Sequence, residues 1–183
     1  MVRTGEFKRL ADFQRSVPKY DPNGQFETLG EGETATDSFD YTTSDGDGLG
    51  GTDTAAVTIT IDGVNDVPIA MDDSFSTVEG GTFHSSVNGL DNEAGRVLGN
   101  DTDADLPNDT LTVNITPVSG PSHGTLVLSS DGTFSYTHDG SEVFTDSFTY
   151  EVSDAAGATS QATVNISITP VNDNDPAFTS ANS

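Results

Sequence analysis

Residues 146–176 read DSFTYEVSDAAGATSQATVNISITPVNDNDP, and residues 37–68 read DSFDYTTSDGDGLGGTDTAAVTITIDGVNDVP. The two stretches are copies of one pattern. The offset between them is 109 residues at the opening Asp-Ser-Phe and 107 residues at the closing Val-Asn-Asp, and the difference falls in the glycine-rich turn. An internal repeat of this kind indicates two modules of the same type in tandem.

Each copy predicts a pair of antiparallel strands. In the second copy, Phe148 and Tyr150 alternate with polar residues, and after a turn Val164 and Ile166 do the same. Alternation with a period of two among aromatic and β-branched residues is typical of half-buried strands. Further alternating runs, each bounded by Gly, Asp, Asn or Pro, precede the second copy around Phe75 to Val78, Leu111 to Ile115, Leu126 to Leu128 and Phe134 to Tyr136. The predicted fold class is therefore all-β, with about seven strands in a sandwich.

The first copy has no such preceding runs, because only YDPNGQFETLGEGETAT stands between the basic N-terminal segment and its first strand. We therefore predict that it is an incomplete sandwich module. Phe7, Leu10 and Phe13 have helix-like spacing, but so short a helix is marginal in isolation. The predicted parts are 1–19, a basic segment that is poorly ordered or a short helix; 20–68, a truncated module with the last strands only; 69–176, a complete β-sandwich; and 177–183, a tail.

The charge of the chain is strongly acidic and unevenly placed. Thirty acidic and six basic residues give a net charge of -24, and Arg96 is the only basic residue after the first 19. Phosphate contacts need Lys and Arg, so we exclude nucleic acids and anionic membranes as partners. Cations are the natural partners, and we expect stability to depend on calcium. Since no apolar run is long enough for a signal peptide or a membrane span, we expect no membrane insertion; an exported chain would be an internal fragment or use another signal.

The segment NDTDAD is the strongest candidate for a metal site. Calcium prefers six to eight oxygen ligands from carboxylates, amides, carbonyls and water. Asn100, Asp101, Asp103 and Asp105 supply such oxygens, and the spacing of the three aspartates lets alternate carboxylates converge as the chain turns. Aspartates in turns also bond the local backbone, so a purely structural role stays open. The segment SDGDG lacks the spacing of an EF-hand and predicts a turn.

Two family resemblances rest on these motifs. YDPNGQFETLGEGETATDSFDYTTSDGDG, followed by VTITIDGVNDVP, resembles the end of a VCBS repeat, a module of giant bacterial surface proteins. VLGNDTDADLPNDTLTV, HGTLVLSSDGTFSYT, DSFTYEVSDAAG and PVNDNDP resemble the bacterial cadherin-like tandem repeat of large RTX-type adhesins. The resemblance implies an immunoglobulin-like or cadherin-like Greek-key sandwich, strung end to end with calcium at the junctions. It also implies an extracellular or cell-surface location, often reached by type I secretion.

The cadherin resemblance also implies ligands for Ca²⁺ at two junctions. The first junction would use Asn65, Asp66, Asp103, Asp105 and Asp154, and Asp101 belongs to the same NDTDAD segment. The second would use Glu79, Asn172, Asp173 and Asn174. Val67 stands where the linker motif has its second asparagine, which weakens that position.

The predicted function is a calcium-binding structural repeat module that acts as a rigidified spacer in an adhesin. Its partners would be calcium ions and neighbouring repeat modules. The alternatives are a module that binds surface glycans or proteins, and an accessory domain of a secreted polysaccharide-degrading enzyme. An enzyme is not predicted: GPSHG (120–124) matches the nucleophile elbow in sequence, but it stands between two strand patterns, whereas the elbow needs a strand, a turn and a helix.

Overall fold

The computed structural model describes residues 19–44, 51–85 and 95–172. It divides into two compact units, Met1–Asn65 and Asp66–Ser183, and each is described by itself. The predictions for residues 1–18, for most of the SDGDG turn and for the residues after Asn172, which include Asp173 and Asn174, lie outside the described residues. No helix within the described ranges has the length and apolar character needed to cross a bilayer.

The first unit is built on one hairpin. Strands β1 (Thr34–Ser44) and β2 (Thr52–Asp62) pair antiparallel over their whole length, with Phe39 opposite Val57. Burial alternates along β2, where Val57, Ile59 and Ile61 are half-buried and the residues between them are exposed. The alternating sequence therefore forms the two predicted strands of the first copy.

The described residues of the second unit form a β-sandwich of seven strands, which confirms the predicted all-β fold class. The strands are β3 (Asp73–Val78), β4 (Thr82–His84), β5 (Thr112–Val113), β6 (Gly124–Leu128), β7 (Phe134–His138), β8 (Thr145–Ser153) and β9 (Thr159–Thr169). One sheet has the order β3-β9-β8-β5 and the other β4-β7-β6. The β3–β9 pair is parallel and the remaining pairs are antiparallel. A short 3-10 helix, Val97–Gly99, lies between the β4 and β5 regions.

Aromatic rings join the two sheets of the sandwich. The Phe75 ring lies 4.9 Å from that of Phe134, which in turn lies 5.5 Å from that of Phe148. Tilted and edge-on ring pairs at these distances stabilise a core beyond their buried area. Around them pack Val97, Val113, Leu128, Tyr136, Tyr150, Val152, Ala162, Val164, Ile166 and Ile168.

The loops at one end of this sandwich carry most of the predicted ligands. Tyr150 is fully buried, and its hydroxyl lies within hydrogen-bond distance of the Val97 and Met71 carbonyl oxygens at 3.0 Å and 3.1 Å. Oδ1 of Asp101 accepts a hydrogen bond from the same hydroxyl at 3.1 Å. The rigid core thus extends directly into the loop that contains NDTDAD.

Candidate metal centre

Three aspartates from two loops bring their carboxylates together in the second unit. Asp103 and Asp109 lie in the loop before β5, and Asp154 directly follows β8. One ligand oxygen from each lies within 4.8 Å of the other two. Asp103 and Asp154 are 9% and 5% exposed, and Asp109 is half-buried. These three residues are called the acidic cluster below.

A tight turn brings Asp109 back toward Asp103. The Asp103 carboxylate accepts a hydrogen bond from the backbone N–H of Asp105 at 2.9 Å. The carbonyl oxygen of Asp105 accepts the backbone N–H groups of Asn108 at 3.0 Å and Asp109 at 3.1 Å. Aspartate favours this bond to the backbone two residues later, which explains why DADLPND turns here.

The turn between β8 and β9 fixes Asp154. Its Oδ1 accepts the backbone N–H groups of Gly157 at 2.6 Å and Ala158 at 2.7 Å. Gly157 has a φ of +93°, a conformation that glycine adopts without the steric cost of a side chain. Asp109 contacts the same turn, because its Oδ1 accepts the backbone N–H of Ala155 at 3.1 Å. The two loops that form the acidic cluster are therefore joined to each other.

Buried carboxylate oxygens at this site have no hydrogen-bond donor. Within the described residues, Oδ2 of Asp103 and Oδ1 of Asp105 are buried without a partner, and Asp105 is 0% exposed. A buried polar atom without a partner costs about 1–3 kcal/mol, and more when it is charged. Burial raises the pKa of Asp103; the carboxylates of Asp105, Asp109 and Asp154 raise this pKa as well, although the hydrogen bond from the Asp105 N–H lowers it.

The donor set fits a hard divalent cation. The acidic cluster offers oxygen ligands alone, which is the preference of Ca²⁺ and not of Zn²⁺, whose protein sites rely on His and Cys. A bound cation would neutralise the converging carboxylates and supply a partner for the buried oxygens. Water and backbone carbonyls commonly complete a calcium site, so a cluster of three carboxylates is sufficient as its centre.

Asp101 and Asp66, two of the predicted ligands, make backbone contacts near the acidic cluster. Asp101 accepts the backbone N–H of Met71 at 2.8 Å and lies on the Tyr150 hydroxyl. The backbone N–H of Asp66 donates to Oδ2 of Asp105 at 2.8 Å, and the Asp66 side chain is exposed. The loop aspartates thus fasten the segment that leads into β3.

The predicted ligands of the second junction lie around the end of β3. Glu79 donates its backbone N–H to the Thr169 carbonyl at 2.9 Å, and its Oε2 accepts the Val171 N–H at 3.0 Å. Its Oε1 is buried without a partner among the described residues. Asn172 is exposed. Asn65 is the half-buried last residue of the first unit. Metal binding stays a prediction for Asn65, Glu79, Asn172 and Asp173.

Asp109 was not among the sequence candidates. The signal that could have found it is its place directly before the alternating run of β5, six residues after Asp103. Two other aspartates, one at the start of each repeat copy, bond neighbouring groups. Asp146 accepts the backbone N–H groups of Ser122 and His123, each at 2.9 Å. Asp37 accepts the N–H of Ser38 at 2.8 Å.

The segment GPSHG does not form a nucleophile elbow. Gly124 begins strand β6, whereas the elbow requires a helix after the serine. The backbone N–H of Ser122 bonds Asp146, so this segment serves as an anchored turn.

Comparison with known proteins gives one family and a set of remote structural likenesses. The family model of the bacterial cadherin-like domain matches residues 65–170. No curated protein sequence matches the chain. Extracellular cadherin domains 1–4 of protocadherin gamma B7 share 18% identity over 81% of this chain and 34% of that chain, with a TM-score of 0.46.

Two hydrolase-related structures are also similar. A nucleoside hydrolase-related protein from Saccharophagus degradans shares 13% identity over 57% of this chain and 26% of that chain, with a TM-score of 0.37. An endo-fucoidan hydrolase from glycoside hydrolase family 107 shares 19% identity over 79% of this chain and 20% of that chain, with a TM-score of 0.36. The chain spans about a third or less of each of the three proteins.

Proposed function

The chain belongs to the bacterial cadherin-like domain family, and from this membership we propose that it is a calcium-binding structural repeat module of an extracellular or cell-surface adhesin. The single observation that supports the proposal best is the convergence of Asp103, Asp109 and Asp154 within 4.8 Å. The buried, unpartnered oxygens of Asp103 and Asp105 add to it. The role is mechanical: the module is a spacer, with no chemistry assigned to it.

In this proposal, calcium is held by the acidic cluster together with Asp105, and Asp66, whose backbone N–H bonds Asp105, lies beside it. Asp105 already bonds the backbone of Asp66, so a cation at Asp105 would stiffen the point at which the polypeptide enters the second unit. Without the cation, the like charges repel one another and the two loops separate more easily.

We also propose that residues 20–68 are the C-terminal part of a VCBS repeat.

Isothermal titration of the chain with Ca²⁺ tests this proposal. Extracellular calcium modules bind with a Kd of about 10⁻⁴–10⁻³ M, and we expect a value in that range with weaker binding of Mg²⁺. Asp103→Asn should weaken binding by about tenfold, since calcium affinity follows the number of charged ligands. Glu151→Gln removes one charge on β8 outside the acidic cluster and serves as the matched control. Equal affinities for the two variants would count against the proposed site.

A further inference from the structure

A long stretch without charge interrupts the acidic sequence of the second unit. Residues 110–130 contain no Asp, Glu, Lys or Arg, although the chain has 30 acidic residues. This stretch forms β5, the loop after it and β6. Another uncharged stretch, 155–172, consists mainly of β9, which is paired on both sides by β3 and β8. Residues 110–130 are therefore the uncharged stretch that reaches the edge of the sandwich.

Strands β5 and β6 lie on the same side of the sandwich. Each is the edge strand of its sheet, and the Val113 N–H on β5 donates to the carbonyl oxygen of Ser130, just after β6, at 3.0 Å. Within the described ranges, β6 pairs with β7 alone. Ile115, Val118 and Val127 are large apolar residues of this stretch and are 63%, 51% and 64% exposed. This side thus combines an open strand edge with exposed apolar side chains.

The backbone of Leu126 faces the open side of β6. The Ser129 N–H donates to the Thr133 carbonyl at 2.8 Å, which sets the alternation of hydrogen bonds along the β6–β7 ladder. In an antiparallel pair, every second residue exchanges hydrogen bonds with its partner strand. Thr125 and Val127 therefore bond β7, whereas the N–H and C=O groups of Leu126 point away from it.

We propose that the open edge of β6 joins two copies of this chain, with the two β6 strands antiparallel about a two-fold axis at Leu126. The N–H of each Leu126 donates to the Leu126 carbonyl of the second copy. Thr125 then lies opposite Val127 of the second copy on the exposed face of the sheet. Gly124 lies opposite Leu128 on the face toward the core. The three-stranded sheets of the two copies become one continuous sheet of six strands.

Charge identifies a second copy as the occupant of this edge. The net charge of -24 would draw a basic partner to the carboxylates and not to an uncharged strand. Two copies of the chain repel each other wherever carboxylates meet, and pairing through β6 brings uncharged residues together instead. Natural edge strands are commonly protected from such pairing by charged side chains or proline, and β6 carries neither. Two-fold contacts between identical chains are also the commonest form of assembly.

Sedimentation equilibrium of the full chain measures this association. One strand pair buries less area than a standard interface of about 1,200–2,000 Å², so we expect monomers at micromolar and dimers at submillimolar concentration. Added salt should strengthen the dimer, because it screens the repulsion between the acidic chains. Val127→Glu places a charge at the contact and should weaken dimerisation by at least about tenfold. Val78→Glu makes the same change at an exposed residue of β3, on the opposite edge, and is the matched control.

Cysteine cross-linking tests the arrangement, since the chain has no cysteine of its own. A mixture of Thr125→Cys and Val127→Cys chains should form mixed disulfides on oxidation. Directly opposite residues in a pair of this kind have Cα atoms about 4.5 Å apart, which suits a disulfide. Each variant alone should cross-link at least about tenfold more slowly, because its equivalent in the second copy is about 7–8 Å away on the diagonal.

Three results would each overturn the proposal. The first is a chain that stays monomeric at submillimolar concentration in high salt. The second is equal dimerisation of Val127→Glu and Val78→Glu, with unchanged circular dichroism, which would assign the association to another surface. The third is cross-linking of Val127→Cys with itself as fast as in the mixture, which would exclude the antiparallel pairing about Leu126.

Discussion

The backbone N–H of Asp66 donates to Oδ2 of the fully buried Asp105 at 2.8 Å, and Oδ1 of the same carboxylate is buried without a partner among the residues that the structure describes. One oxygen therefore bonds the start of the second unit, and the charge of the same carboxylate raises the pKa of Asp103, a member of the acidic cluster. This relationship connects the local structure of the loop with the proposed cation binding.

Asp109 belongs to the proposed ligand set, although the sequence motif does not include it. We expect Asp109→Asn to weaken calcium binding by about tenfold, because it removes one of the converging charges. Asp101→Asn should have a smaller effect on calcium affinity, since Asp101 bonds the Met71 backbone and the Tyr150 hydroxyl. Titration calorimetry on the two variants compares them directly. A larger loss of affinity for Asp101→Asn would favour the sequence-based ligand set.

Asp73 makes the stability of the second unit depend on pH. Burial, with the carboxylates of Asp101 and Asp72 nearby, raises the pKa of Asp73 from 3.8 to about 7. Its Oδ2 is buried and has no partner within the described ranges. A pKa raised in the folded state stabilises the fold fully below about pH 4, and this contribution is lost as the pH rises toward 7. Asp73→Asn should therefore flatten the fall in stability between about pH 4 and pH 7.

Urea unfolding in EDTA at several pH values measures this slope. Glu142→Gln removes the same charge from an exposed residue of the second unit that is not among the groups that shift this pKa, and it is the control. Identical slopes for Asp73→Asn and the original chain would show that Asp73 does not titrate in this range.

In each unit a tyrosine hydroxyl donates to the aspartate at the start of a repeat copy, Tyr20 to Asp37 and Tyr136 to Asp146. We expect each of these hydrogen bonds to stabilise its own unit. Tyr136→Phe removes the hydroxyl that donates to Asp146, and we expect a loss of about 1–2 kcal/mol in the free energy of unfolding of the second unit. Tyr20→Phe is the matched change in the first unit and should lower the protection of β1–β2 amides while leaving β8–β9 unchanged. Hydrogen exchange read separately for each hairpin distinguishes the two effects. A variant that destabilised both hairpins equally would contradict independent hydrogen bonds.

Val97 packs in the core of the second unit, just before the loop that contains NDTDAD. It is fully buried in the 3-10 helix, and its N–H bonds the Gly132 carbonyl at 3.0 Å. We expect Val97→Ala to cost about 2 kcal/mol, from the lost burial of two methyl groups and the cavity left behind. Ala155→Gly, a change of an exposed residue in the β8–β9 turn, serves as a comparison. Equal unfolding midpoints for both variants would argue against a structural role for Val97.

Most of the fold could be predicted from the sequence, because each strand carries a local signal. Phe148, Tyr150, Val164 and Ile166 alternate with polar residues, and alternation alone assigns them to one buried face. Val97 has no such periodic signal. Its burial depends on contacts with distant residues such as Gly132 and Tyr150.

The candidate site could be predicted only in part. The motif spacing predicted Asp103 and the cadherin resemblance implied Asp154, and the structure brings the two together. Asp109 depends on the turn that starts at Asp103 and on the bond to Ala155, which is a contact between loops far apart in sequence. Asp101 stands at a motif position, but it lies outside the acidic cluster, and its carboxylate accepts the backbone N–H of Met71.

Thermal unfolding with and without calcium tests the central claim most directly. At ten times the Kd, a single site adds about 1.4 kcal/mol to the free energy of unfolding. For a unit of this size, we therefore expect the Tm in about 10 mM Ca²⁺ to exceed that in excess EDTA by at least about 5 °C. The double variant Asp103→Asn and Asp105→Asn should show little difference between the two conditions. The same Tm in calcium and in EDTA for the unmodified chain would contradict a calcium-stabilised module.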